Sequence, residues 1–169
     1  VVACGLDHQG ESVLAWDAES GEPLGPIVVW QDKRSQEVLD ALEAESGADL
    51  VRERSGMPLD PYFSAGKLAW LLRNDERVAG AVAAGTARLG TVDSWLCDQL
   101  GAGFATDLST AARTQLARPG EPDWDDELLD AFGVPRAALP ELMDSAGELG
   151  SLRHPDWGAD LPLRARVVD

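Results

Sequence analysis

Pro26-Ile27-Val28-Val29-Trp30, then Gln31-Asp32-Lys33-Arg34-Ser35, then the stretch to Gly47 make up the passage on which the fold class turns. The first five residues are apolar and β-branched at their centre, and they read as a strand. The next five are polar. Beyond them Val38, Leu39 and Leu42 recur at helical spacing, with Gly47 as the stop. Lys33 and Glu37 stand at i,i+4, in the less favourable order for an ion pair. A strand that passes through a polar junction into a helix is the grammar of an α/β domain.

Upstream, residues 1–6 form an apolar run suited to a strand covered on both faces. Asp7-His8-Gln9-Gly10-Glu11-Ser12 interrupts it, and Val13-Leu14-Ala15-Trp16 resumes the strand pattern before turn residues at 17–23. The polar interruption has two readings. It is a solvated hairpin loop, or Asp7, His8, Gln9 and Glu11 converge at a strand end, where open α/β sheets bind ligands.

Downstream, residues 48–54 read as a short helix closed by Ser55-Gly56-Met57-Pro58. Leu59-Asp60-Pro61-Tyr62-Phe63-Ser64 follows and holds the only tyrosine. Pro61 fixes its own φ and keeps Asp60 out of helical geometry. Ser64 is placed to cap a helix whose face carries Leu68, Leu71 and Leu72. Tyr62 and Phe63 thus stand at a helix entry, where rings either fill core or meet a small ligand. Residues 76–84 form an alanine-rich helix ended by Gly85, and Ala87-Arg88-Leu89 a short strand. Asp93 is placed to cap a helix reaching Leu100. The hydroxyl-rich residues 106–114 suit capping and turns better than phosphate contact. Asp125, Asp126 and Glu127 place negative charge on the first turn of a helix with Leu128, Leu129 and Phe132 as its apolar stripe and Gly133 as its end. Loops and short strands are expected over 146–160.

Composition narrows the function. The 169 residues carry 14 Lys plus Arg against 30 Asp plus Glu, a net charge of -16. That balance excludes a phosphate-backbone binder, so no nucleic-acid partner is expected. No apolar run reaches the roughly 18 residues a membrane helix needs, and the first residues lack a signal-peptide pattern. Cys4 and Cys97 match no metal or redox spacing and suggest a reducing, cytoplasmic setting. The chain starts without methionine inside an apolar run and closes on another, Arg166-Val167-Val168-Asp169, as a piece of a longer protein does.

The stretches together resemble the FGGY carbohydrate kinases, and within them the glycerol-kinase branch. The pieces are Gln9 with Glu11-Ser12; Val28-Val29-Trp30-Gln31 with Arg34; Asp60-Pro61-Tyr62-Phe63-Ser64 with Lys67; Gly90-Thr91-Val92-Asp93-Ser94-Trp95-Leu96; Thr106-Asp107 with Ala112-Arg113-Thr114; and Asp123-Trp124-Asp125. No piece is specific alone, but their order and spacing are family-like over nearly the whole chain.

The resemblance implies an α/β, ribonuclease-H-like domain of the actin/hexokinase ATPase type, incomplete and with helical insertions. Residues 1–169 correspond to the later part of the family's N-terminal, substrate-side domain, with the C-terminal ATP domain absent. It implies an ATP- and Mg2+-dependent kinase acting on a small polyol or sugar, homo-oligomeric when full length, with nucleotide and metal held mainly outside this segment. The segment alone is expected to be inactive. In that branch an adjacent Arg-Glu pair, a tryptophan and a tyrosine hold the polyol; these match Gly10, Glu11, Trp30 and Tyr62. Gly10 stands where the arginine is expected, which predicts a roomier site with His8 or Gln9 as replacement donors. The family's catalytic aspartate lies in a Gly-Asp-Gln motif expected just past the end of the chain, and Asp169 is given no role. The alternatives are a ketopentose kinase of the xylulose or ribulose type, or a non-catalytic polyol-binding module.

Overall fold

Strand β1 (Cys4–His8) lies parallel to β7 (Leu161–Val168), which pairs on its other side with the short antiparallel β6 (Ser151–Leu152). The computed structural model describes residues 2–45 and 47–169. A second ladder joins β2 (Val13–Asp17) antiparallel to β3 (Ala87–Thr91), and a third joins β4 (Ala105–Asp107) parallel to β5 (Glu141–Met143).

Seven helices surround these ladders among the described residues: α1 (Gln36–Ala44), α2 (Gly47–Ser55), α3 (Ser64–Asn74), α4 (Glu76–Ala83), α5 (Val92–Gln99), α6 (Leu108–Ala112) and α7 (Asp126–Phe132). Their stripes meet in one apolar core, where Val38 and Leu39 of α1, Leu68 and Leu71 of α3, and Leu128 and Phe132 of α7 pack with Val13 and Leu89 of the β2–β3 ladder. A smaller cluster of Cys97, Leu149, Leu152 and Leu163 lies under β7. Helix α7 ends as its glycine predicts: Gly133 has φ 69, a left-handed cap that other residues adopt at a cost.

Several expectations need correction. The first strand begins at Cys4, not residue 1; Val1 lies outside the described residues and Val2 is 93% exposed. Its exposure alternates, so it is half-buried, not covered on both faces. Residues 26–30 form no strand. Only Val28 bridges to Val13, while Ile27 and Val29 beside it are exposed. The segment does run along the free edge of β2, with Leu24 donating to the Ala15 carbonyl at 2.9 Å. Pro23 and Pro26 lack an N–H, and a ladder cannot run through them unbroken.

Gly47 opens α2 instead of closing α1, and a Cβ on it would lie 2.3 Å from Leu42 Cδ1. Ser64 is the first residue of α3, not its cap; Phe63 takes the cap position, and the buried Ser64 hydroxyl has no partner among the described residues. Thr91, not Asp93, precedes α5. Glu37 accepts a hydrogen bond from Asn74 at 3.2 Å. The hydroxyl-rich stretch does cap: Asp107 accepts from the backbone N–H groups of Ser109 and Thr110 at the start of α6.

Candidate substrate-binding site

The turn between β1 and β2 carries Gly10 and Glu11. Ser12 Oγ donates to Gln9 Oε1 at 2.8 Å and accepts from the Trp30 N–H at 3.2 Å, so the backbone of Trp30 is tied to this turn. Glu11 is 4% exposed, and a buried carboxylate needs a partner. Arg113, which follows α6, supplies it: Nε and an Nη donate to Glu11 Oε1 at 2.8 and 2.7 Å.

The entry to α3 forms the facing wall. The Tyr62 N–H donates to Asp60 Oδ1 at 2.8 Å and the Phe63 N–H to the Asp60 carbonyl at 3.2 Å, a tight turn around Pro61. Gln115 has φ 65, unusual for a side chain of its kind, and its buried amide donates to the Pro58 carbonyl at 2.6 Å. Lys67 is fully buried and donates to the carbonyls of Tyr62 and Phe63. Burial pushes its pKa down from 10.5 to about 8, against the pull of the Glu11, Asp32 and Asp60 carboxylates.

These supports bring the aromatic rings together. Trp30 and Tyr62 stack edge to face with centroids 5.6 Å apart, and the Arg113 guanidinium carbon lies 5.7 Å from the Tyr62 centroid and 5.2 Å from that of Phe63. Trp30 and Tyr62 remain 37% and 36% exposed, unlike Phe63, which is buried. With Gln31, Lys33, Asp60 and Pro61 they line a depression of about 270 Å³.

Glu11, Trp30 and Tyr62 thus converge, joined by Arg113. Gly10 is beside them, but the vacancy predicted there does not exist: Val168 Cγ2 lies 2.1 Å from where a Cβ at Gly10 would be. His8 is turned inward, with Nε2 3.0 Å from Thr110 Oγ1, and is no replacement donor; the Gln9 carboxamide oxygen is held by Ser12. Asp7 is exposed. Arg113 and Lys67 belonged to the family-like pieces, but only their three-dimensional partners reveal what they do. Asp169, left without a role, has its N–H on the His8 carbonyl at 2.9 Å, which sets it at the same end of the sheet as the Glu11 turn.

His8, Asp93 and Asp107 also place ligand-type atoms within 4.8 Å of one another. They do not suit Mg2+, which keeps oxygen ligands and several waters. Thr91 and Thr106 donate to Asp93, Ser109, Thr110 and Ser145 donate to Asp107, and the buried Arg166 guanidinium lies 3.7 Å from Asp93. This is a buried polar network, in which Arg166 Nε and Nη2 find no partner among the described residues.

In this α/β domain two half-exposed rings stand near a buried carboxylate–guanidinium pair, and sequence comparison gives the family. The profile of the FGGY family of carbohydrate kinases, N-terminal domain, matches residues 1–160, and the chain belongs to that family. It is 43% identical over 171 residues to a glycerol kinase of Alcanivorax borkumensis, covering 100% of this chain and 34% of the relative. It is 44% identical over 160 residues to a glycerol kinase of Methylorubrum populi, covering 92% and 32%. Among solved structures, Plasmodium falciparum glycerol kinase with ADP superposes with a TM-score of 0.93 at 28% identity, covering 100% of this chain and 34% of that one. A Brucella ovis xylulose kinase superposes with a TM-score of 0.83 at 26% identity and the same coverage. The fold is therefore the expected actin/hexokinase-like one. The chain spans about a third of the length of these relatives. No described helix is long and apolar enough to cross a membrane.

Proposed function

We propose that this chain is the substrate-side wall of an ATP-dependent carbohydrate or polyol kinase of the glycerol-kinase type. The observation that carries this is the corner formed by Trp30 and Tyr62 against the Glu11–Arg113 pair. Half-exposed rings offer faces to the C–H groups of a polyol, and a buried carboxylate accepts from its hydroxyls. Gly10, Glu11, Trp30 and Tyr62 are the proposed substrate-binding residues. Asp169 is a candidate carboxylate base, set by its backbone at the end of β7 beside this corner.

ATP and Mg2+ are the cofactors of this reading, held mainly by parts outside these 169 residues. The nucleotide supplies the phosphoryl group and the metal neutralises its charge; the residues here bind and orient the accepting hydroxyl. Two free cysteines suit a cytoplasmic setting. The likeness to a xylulose kinase favours a ketopentose as the second reading.

The test is ADP formation by the full-length protein with a panel of polyols and ketoses. Substrate-dependent ADP supports the proposal. Polyol binding by thermal shift with no ADP on any substrate replaces it with a non-catalytic binding module.

A further inference from the structure

Two effects disfavour a lysine at position 67. Its side chain is fully buried, and it stands near the start of α3, where the helix dipole favours negative charge. A methionine would fill a similar volume without either penalty. The ammonium instead reaches back along the chain, donating to the Phe63 carbonyl at 3.0 Å and to the Tyr62 carbonyl. Glu11, Asp32 and Asp60 attract it, but among the described residues no carboxylate forms an ion pair with it; Glu11 pairs with Arg113 and Asp32 with Arg34. Its contacts are therefore with the backbone at the helix entry. Tyr62 needs such a hold. Its ring is partly exposed, so packing does not enclose it, and it meets Trp30 and Phe63 edge to face at 5.6 and 5.4 Å. Its backbone is pinned on both sides, the N–H on Asp60 Oδ1 and the carbonyl on Lys67.

We infer that Lys67 is a positioning residue of the polyol corner: its buried ammonium, holding two successive carbonyls at the entry of α3, sets where the Tyr62 ring stands against Trp30. This rests on the polyol-site reading above. Lys67 does not itself meet the ligand; it acts through Tyr62, which lines the depression. Hydrogen bonds from a charged donor are the stronger kind, and two from one nitrogen fix the peptide between Tyr62 and Phe63 in orientation as well as in place. A polyol then meets a ring already in position, and less freedom is lost on binding.

The test is calorimetric titration of the full-length protein with glycerol, D-xylulose and D-ribulose. Lys67→Met keeps the bulk of the side chain and removes its donors. The affinity for whichever ligand binds the wild type should fall about tenfold. In a Tyr62→Ala background the same substitution should change affinity by less than about twofold, because the ring it positions is gone, while still lowering stability. If Lys67→Met does not fold, Lys67→Gln replaces it; its amide nitrogen ends one bond short of Nζ, and the expected loss is about fivefold. Affinity unchanged within about twofold in a folded variant overturns the inference, makes Lys67 purely structural and leaves the polyol reading standing. An equal loss in both backgrounds overturns the route through Tyr62, and with it the positioning role. A wild type that binds none of the three ligands overturns the polyol reading and this inference together.

Discussion

Arg113 grips Glu11 through two nitrogens at 2.8 and 2.7 Å while its guanidinium plane sits near the rings of Tyr62 and Phe63. One side chain thereby joins the β1–β2 turn to the entry of α3. Both contacts use the flat, forked shape of guanidinium, which lysine lacks.

Arg113→Lys is expected to keep the charge and lose the bridge. Polyol affinity of the full-length protein should fall about tenfold, with a stability loss near 1 kcal/mol. Calorimetry and urea unfolding read the two effects. Unchanged affinity would show that the bridge does not organise the site.

Tyr62 is only partly enclosed, and its substitution should separate binding from packing. Tyr62→Phe should leave stability nearly unchanged and raise KM by a factor matching one hydrogen bond of about 0.5–1.5 kcal/mol. Tyr62→Ala should cost less than the roughly 3–5 kcal/mol of a buried ring. A Tyr62→Ala loss inside that range, with KM unaffected, would make the ring core.

Lys67 predicts a pH signature. Its pKa is lowered to about 8 in the folded chain against an ordinary 10.5, so between these values the unfolded chain binds more protons. The stability of the wild type relative to Lys67→Met should therefore rise as pH increases from about 8 toward 10.5. A difference that is flat over this interval, measured by denaturant titration, contradicts a buried charged lysine.

Asp125 caps α7, accepting from the Leu128 N–H at 3.0 Å and from Arg54 Nε at 2.9 Å. Burial raises its pKa, but the Arg54 and Leu128 hydrogen bonds outweigh this and hold it below 3.8. Asp125→Ala should cost about 1–2 kcal/mol at neutral pH, and the deficit should shrink as pH falls through the lowered pKa. A deficit independent of pH down to acid unfolding would argue against the ion pair.

Short-range patterns were legible in the chain itself. The stripes of α1, α3 and α7 and the left-handed end at Gly133 depend on neighbours three or four residues away. Reading residues 26–30 as a strand failed because, along this edge of β2, only isolated bridges form, at Pro23 to Trp16 and Val28 to Val13, and Pro23 and Pro26 offer no N–H to make the ladder continuous. The same limit hid the site's inner structure. The resemblance to the FGGY kinases proposed Glu11, Trp30 and Tyr62, and it set Gly10 where an arginine is expected beside Glu11. It could not determine that the resulting space is filled. That was decided by the parallel register of β1 and β7, which sets Val168 against Gly10 from the far end of the chain. Helix periodicity and capping are written in adjacent residues, whereas the occupancy of a volume depends on every chain segment that packs around it.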